Sequence, residues 1–508
     1  MNHHQETRRW GSRRQISGLT VRDALRSPRL LRTEAFGGLV VALALIPEAI
    51  AFSLIAGVDP RVGLFSSFIM AVSIAFLGGR PAMITAATGA IALVIAPVAR
   101  EYGMDYFIAT VLLAGVFQLV LGALGVAKLM RFIPRSVMVG FVNALAILIF
   151  TAQLPHLIDV PWMVYPLVAA GLIIMVLMPR VTKAVPAPLV AIVLVTAAVV
   201  IAAINVPTVG DQGELPKSLP ELFIPNVPIT WETFTIIAPY ALAMALVGLL
   251  ESLMTAKLVD DATDTHSRKS REALGQGAAN VLSGLFGGMG GCAMIGQTMI
   301  NVKASGARTR ISTFLAGVLL LILVVVLGDL VAIIPMAALV AVMIMVSVAT
   351  FDWHSIRWSA LKRMPKSETT VMVATVAVVV ATHNLAIGVI VGVVVAMVAF
   401  ARRVAHFATV DRRIELDAPV PTTYYTVNGE LFFASSNDLT TQFEYTDDPD
   451  RIVIDMSASH IWDASTVAAL DAITTKYEHH GKRAVIIGMN EASTKLHGRL
   501  AGNLGAGH

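Results

Sequence analysis

Two carboxylates stand in the middle of apolar stretches: Glu48 in LALIPEAIAFS and Glu251 in ALVGLLESLMT. A carboxylate at mid-bilayer is costly, so it either takes up a proton or finds a partner. No lysine or arginine sits mid-span to neutralise either one. Glu48 follows Pro47, whose missing N–H frees a backbone carbonyl. Glu251 has Ser252 beside it and Thr255 four residues on, which puts carboxylate and hydroxyl on one helix face. Such residues can accept a proton or a cation beside a binding site. The plainer role is a protonated glutamic acid that hydrogen-bonds two helices together.

A second pattern occurs twice. Residues 76–89 read FLGGRPAMITAATG and residues 286–299 read FGGMGGCAMIGQTM. Each has a phenylalanine, glycines, Ala-Met-Ile, and then a small polar run that opens an apolar segment. An extended piece over 82–86, followed by a helix starting near Thr88 and Gly89, leaves helix N–H groups free at mid-membrane. The second copy does the same near Gly296, Gln297 and Thr298. Two half-helix N-termini that face each other form a positive, hydrogen-bond-donating pocket suited to an anion. Irregular backbone survives at that depth only where it lines a cavity. Glycines that merely allow close helix packing are the competing explanation, but recurrence at matching places favours a transporter site. Cys292 takes the place of Pro81 in the other copy and reads as a small residue only. His383 and Asp329 fall at span ends. No metal-ligand spacing, nucleophile elbow or phosphate loop is present, so neither a cofactor nor enzyme chemistry is expected.

Composition sets the solvent in which these residues must be held. Of 508 residues, 56% are hydrophobic and 14% charged, with mean hydropathy +0.73, where a soluble domain carries roughly 25% charge. A soluble enzyme and a disordered chain are excluded for most of the length. A single cysteine excludes an intramolecular disulfide framework, and a net charge of +4 does not point to nucleic acid.

Apolar stretches predict fourteen segments, near 35–57, 63–79, 82–99, 106–127, 134–154, 163–179, 187–205, 232–256, 275–290, 292–304, 309–328, 330–350, 369–383 and 386–401. With the N-terminus in the cytoplasm, nineteen cations fall in inner loops, Lys128, Arg131 and Lys183 among them. Outer loops hold only Arg61, Arg100 and Lys217. This asymmetry predicts both termini cytoplasmic, in the inner (plasma) membrane. Seven spans separate the two copies of the pattern, so the repeat is inverted. Residues 1–34, with Arg8, Arg9, Arg13 and Arg14, read as a cytoplasmic basic tail rather than a secretory signal. Residues 35–403 form the transport domain.

Residues 404–508 return to ordinary charge density. YYTVNGELFF (424–433) predicts two short strands around an Asn428-Gly429 turn, 451–456 and 483–488 further strands, and 464–477 a helix. A small cytoplasmic α/β domain follows.

These residues together resemble the SulP (sulfate permease) anion transporters over nearly the whole chain. PEAIAFSLIAGVDPRVGLFSSF (47–68) is similar to the family's first segment and loop. ESLMTAKLVDDATDTHSRKSREALGQGAANVLSGLFGG (251–288) is similar to the eighth segment and the loop into the ninth, and QTMINVKASGARTRIS (297–312) to the tenth and the loop after it. The tail resembles a STAS domain through IDMSASHIWDAST (454–466). The resemblance implies two inverted seven-segment repeats with half-helices in segments 3 and 10. It also implies a core (segments 1–4 and 8–11) that moves elevator-fashion against a gate (segments 5–7 and 12–14), and a homodimer. Thr88, Gly89, Gly296, Gln297 and Thr298 would frame the anion, with Glu48 near it. Glu251 and Thr255 match the acidic/hydroxyl pair that holds sodium in some relatives. Ser465 matches a serine phosphorylated in free-standing STAS regulators, although Asp463 to Ser465 also suit the start of a helix. Many animal members carry arginine where this chain has Gln297, and Gly89-Ala90 replaces a glycine-proline.

The missing cation leads to proton coupling. Like charges repel strongly in low dielectric, so protonation of Glu48 or Glu251 would admit the anion. Sodium-coupled bicarbonate uptake, a membrane-bound sensor or scaffold signalling through STAS, and a nucleobase transporter are the alternatives.

Overall fold

The computed structural model describes residues 19–126, 133–181, 186–405, 408–416 and 420–502. The expectations placed on Arg8, Arg9, Arg13, Arg14, Lys128, Arg131 and Lys183 lie outside the described residues. The chain divides into two compact units, Met1–Val393 and Val394–His508.

In the first unit a Thr20/Asp23 capping box opens α1 (Val21–Arg26), and a Ser27 cap starts α2 (Pro28–Ala56). Helix therefore begins well inside the expected basic tail. Pro60 opens α3 (Pro60–Leu77), where a missing N–H costs nothing. A two-residue strand β1 (Thr85–Ala86) leads into α4 (Gly89–Ala123). Gly103, at φ +83°, breaks α4 in two, so the expected loop over 100–105 is a kink at one glycine. Then come α5 (Arg135–Thr151), α6 (Val164–Val181) and α7 (Ala187–Ile201).

The second half repeats the order. It runs α8 (Trp231–Thr263), α9 (Lys269–Leu285), β2 (Cys292–Ala293) and α10 (Ile295–Met299), which passes into a π-turn at Ile300–Ala304. It ends with α11 (Arg310–Val326), α12 (Gly328–Ala332), α13 (Met336–Thr350), α14 (Trp358–Arg363), α15 (Lys366–Thr382) and α16 (Leu385–Ala405). Six helices among the described residues are long and apolar enough to cross a membrane, α2, α4 and α8 among them. Strands β1 and β2 pair antiparallel, as two segments of opposite orientation must where they meet.

Helices α2, α3, α4, α8, α9 and α11 pack chiefly on one another, while α5, α6, α7, α13 and α15 form a second group. The α4–α9 contact depends on absent side chains: a Cβ on Gly277 would lie 2.9 Å from the Gly115 carbonyl oxygen. Helix α9 carries buried Glu272, Gln276, Asn280 and Ser283. Its polar face is tolerable because α3 and α4 cover it.

The second unit is a four-stranded sheet in the order β3-β4-β5-β6, with β3 (Thr409–Glu415), β4 (Thr422–Leu431), β5 (Arg451–Ile461) and β6 (Arg483–Ile487). Helix α17 (Phe433–Leu439) follows β4, α18 (Ala464–His479) joins β5 to β6, and α19 (Glu491–Leu500) closes the unit. The expected hairpin at Asn428-Gly429 is wrong. Strand β4 runs straight through that dipeptide, with β3 antiparallel on one side and β5 parallel on the other. A register shift against β5 between Thr426 and Asn428 absorbs the irregularity. Two flanking strands outweigh a local turn preference, because turning would leave both ladders unpaired.

Asp448 ties this unit together. Its carboxylate is buried and accepts hydrogen bonds from Tyr477 (2.6 Å), Tyr425 (2.7 Å) and the Arg412 guanidinium (2.6 and 2.9 Å). Burial raises its pKa, but the hydrogen bonds from the two tyrosines and Arg412, with the Arg412 charge, hold it below its ordinary value of 3.8. A carboxyl so depressed contributes stability that is present above its unfolded pKa and is lost as pH falls through the folded one. The sheet is therefore expected to loosen below about pH 4. Asp448→Asn, which leaves Arg412 unpaired, is expected to cost about 3–5 kcal/mol at neutral pH. Hydrogen exchange across β3–β6 of the full-length protein, corrected for intrinsic rates, measures both.

Candidate functional site

The β1–β2 ladder sets the site. Thr85 faces Ala293 and Ala86 faces Cys292, and the Met294 N–H donates to the Ile84 carbonyl at 2.9 Å. The pairing aims the N-termini of α4 and α10 at one region. Thr88 caps α4 by accepting the Ile91 N–H at 3.4 Å, whereas α10 starts after Met294 with no side-chain cap. Thr298 clamps the crossing: its Oγ1 accepts the Ile84 N–H at 3.0 Å. Asn301 adds a bond to the Ala82 carbonyl at 2.9 Å.

Glycines shape the approach. A Cβ on Gly291 would sit 2.0 Å from the Ala86 carbonyl oxygen. Gly291→Val is accordingly expected to split the ladder. The measurement is ligand-free thermal stability of the purified protein. Gly89 lies under the Phe52 ring, 2.8 Å from where its Cβ would be, while nothing lies within 4 Å of a Cβ on Gly296. Backbone at the α10 N-terminus thus borders open space.

Both mid-span carboxylates bond to the second copy, one to α10 and one to β2. Glu48, on α2, accepts a hydrogen bond from Gln297 Nε2 of α10. Glu251, on α8, accepts the Cys292 thiol at Oε2 (2.9 Å), and the Cys292 sulfur lies 3.2 Å from Thr88 Oγ1. Glu48, Thr88, Glu251, Gln297 and Thr298 are all buried. Glu251 and Thr255 lie four residues apart on α8, as expected. The Thr255 hydroxyl bonds the carbonyl oxygens of Glu251 (2.8 Å) and Ala293 (3.2 Å), because a threonine mid-helix reaches back to the residue four before it. Cys292, which in sequence reads as a small residue only, is the donor to Glu251. Its place in the repeated motif, opposite Ala86 in the ladder, is the signal that could have found it.

A buried polar frame outside the predicted residues braces the ends of these helices. Arg80 pairs with Asp260 at 2.9 Å. Glu272 accepts the N–H groups of Gly79 (2.6 Å) and Arg80 (2.9 Å), which secures the backbone just before β1. Glu34 accepts the N–H groups of Arg308, Thr309 and Ser312 at the start of α11. Hydropathy placed Arg80 in a loop and Glu34 in the tail, and nothing in the local pattern joins residues so far apart in sequence. In the second unit Asp463, not Ser465, caps α18, accepting the Thr466 N–H at 3.1 Å; Ser465 is exposed beside it.

Residues 31–170 and 160–375 match the model of the sulfate permease family. The chain belongs to that family. Residues 413–500 match the STAS domain, so the second unit is a STAS domain carrying the small sheet. "Putative sulfate transporter YbaR" of Bacillus subtilis (strain 168) is 50% identical over 471 residues, covering 93% of this chain and 97% of that one. The bicarbonate transporter BicA of Picosynechococcus is 28% identical over 364 residues, 65% of this chain and 63% of its own. Among solved structures, the transmembrane domain of a cyanobacterial BicA aligns with TM-score 0.62 at 25% identity, covering 73% of this chain and 98% of that one. Murine Slc26a9, in the inward-facing state, aligns with TM-score 0.79 at 16% identity over 96% of this chain and 92% of its own, a likeness of fold. This is an integral membrane protein of an anion-transporter family.

Proposed function

We propose that this protein is a secondary active transporter that takes up a small anion, an inorganic anion such as sulfate or bicarbonate or else a small dicarboxylate, by proton-coupled symport. One observation carries the reading: Glu48 bonds Gln297 of α10, and Glu251 bonds Cys292 of β2, whose sulfur meets Thr88 at the start of α4, so two carboxylates border the paired half-helix starts through neutral partners. The N–H groups of α4 and α10 attract an anion. An ionised glutamate beside it repels the anion, and a proton on that glutamate removes the repulsion. Binding of proton and anion are then thermodynamically linked.

In this reading α2–α4 and α8–α11 form a core that carries the site, and α5–α7 with α12–α16 form a gate against which the core moves as an elevator. Residues 1–34 are the cytoplasmic tail, 35–403 the transport domain and 404–508 the linker and STAS domain. Both termini face the cytoplasm across the plasma membrane, and the protein works as a homodimer. A sodium-coupled version would use Glu251 and Thr255, whose neighbouring carbonyl oxygens suit a hard cation.

Purified protein in liposomes separates these readings. Uptake of radiolabelled sulfate and of bicarbonate is expected to rise with an inward proton gradient and to ignore a sodium gradient at clamped pH. Stimulation by sodium alone overturns proton coupling. Anion binding without flux would make the protein a sensor or scaffold.

A further inference from the structure

We infer that Cys292 is a positioning residue for transport. It links the proton on Glu251 to the anion at Thr88 by reversing a three-member hydrogen-bonded chain. The inference rests on the proton-coupled reading above and adds how proton and anion communicate.

The chain is Thr88 Oγ1, Cys292 Sγ and Glu251 Oε2, with links of 3.2 and 2.9 Å, and all three side chains are buried. An ionised carboxylate only accepts. The thiol must then donate to Glu251, which leaves its sulfur to accept, and the Thr88 hydroxyl donates to it. Thr88 oxygen meanwhile accepts the Ile91 N–H. In this state the Thr88 hydroxyl hydrogen is spent on sulfur and is not available to a ligand.

A proton placed on Glu251 Oε2 makes that oxygen a donor. It now donates to the sulfur, and the thiol turns its own hydrogen to Thr88 Oγ1. That oxygen then accepts from both the thiol and Ile91, and its hydroxyl hydrogen is released to an anion at the α4 N-terminus. One proton is added from outside. The thiol and the hydroxyl each keep their hydrogen and only rotate, so no bond between heavy atoms changes. Cysteine suits the middle place because S–H donates and S accepts, both weakly, so reversal is cheap. The Ala86–Cys292 pairing holds it there.

The groups around Glu251 leave this path open. From β2 it meets Cys292, and from α4 the chain ends at Thr88. Helix α10 presents Gln297, already bonded to Glu48 of α2. The buried carboxylate of α9, Glu272, is bonded to Gly79, Arg80 and Gln276.

Two measurements on the full-length protein in liposomes test it. Cys292 is the sole cysteine, so the infrared S–H stretch reports it alone. Its frequency is expected to shift as pH falls through the range in which uptake rises, and to stay fixed in Glu251→Gln. The second readout is the ratio of apparent KM for radiolabelled sulfate, with bicarbonate as second probe, at high and low pH. Cys292→Ala is expected to lower that ratio about fivefold or more, the lower end of typical coupling. Cys292→Ser, which keeps a donor and an acceptor, is expected to retain it. A Cys292→Ala protein with the wild-type ratio overturns the chain, as does an S–H band that ignores pH while wild-type uptake follows it. A wild-type KM that ignores pH overturns proton coupling itself and the chain with it.

Discussion

Replacing Glu251 by glutamine is expected to flatten most of the pH dependence of anion uptake. Glutamine imitates the protonated carboxyl in size and in lacking charge. Anion affinity at alkaline pH should rise toward the level the wild-type protein reaches only in acid, and an inward proton gradient should accelerate uptake much less. The size of the effect follows from electrostatics. Two unit charges 4 Å apart repel by about 4 kcal/mol at an effective dielectric of 20, roughly a thousandfold in affinity before screening. Measured couplings between sites are smaller, about 5–150-fold, and that is the loss of proton stimulation expected here. Glu48→Gln should act in the same direction, since Glu48 meets the other half-helix through Gln297. Tracer exchange with the same anion on both sides needs no net proton movement and should persist in both variants. Proton-driven uptake and exchange, measured side by side in liposomes, check this. If neither substitution changes the pH dependence, the glutamates are structural acids and the mechanism is wrong.

The second large effect is expected from Gln297→Arg. The glutamine amide already donates to Glu48, so a guanidinium at this position lies within reach of that carboxylate. It would supply permanently the neutralisation that a proton supplies on demand. The variant should bind anion more evenly across the pH range and exchange one anion for another, and a proton gradient should drive less net accumulation, only the part carried by Glu251 remaining. The double variant Glu48→Gln/Gln297→Arg should differ from the single one in that an unpaired cation now faces the anion. Its affinity should be higher and its release slower. Initial rates and steady-state accumulation of labelled sulfate, compared between the two, read this out. Accumulation by Gln297→Arg equal to wild type would show that Gln297 has no part in coupling.

Much of this was legible in the chain because lipid allows few solutions. Backbone at mid-membrane must be helical or line a cavity. Repeated glycine-interrupted segments therefore pointed to the site, and the structure places a strand and a helix start in each copy. Segment positions followed from hydropathy to within a turn or two, except where a single glycine, Gly103, replaced a loop. Glu48, Glu251, Thr88, Gln297 and Thr298 stood out as polar groups in apolar surroundings, and all five gather around the β1–β2 crossing. The errors share one cause. The Asn428-Gly429 turn and the role of Cys292 read differently from neighbours in sequence, and each is decided by a partner far away in the chain.

By itself, then, the sequence determined that this is a polytopic membrane protein with an inverted repeat and two carboxylates it had to accommodate. Residue type and spacing are enough to reveal what a bilayer penalises. Which atom meets which carboxylate was a matter for tertiary structure. Gln297 reaches Glu48 and Cys292 reaches Glu251 only because two antiparallel strands, separated by some two hundred residues, lock the half-helices in one register. A hydrogen bond is sensitive to a few tenths of an ångström, and that precision arises from packing.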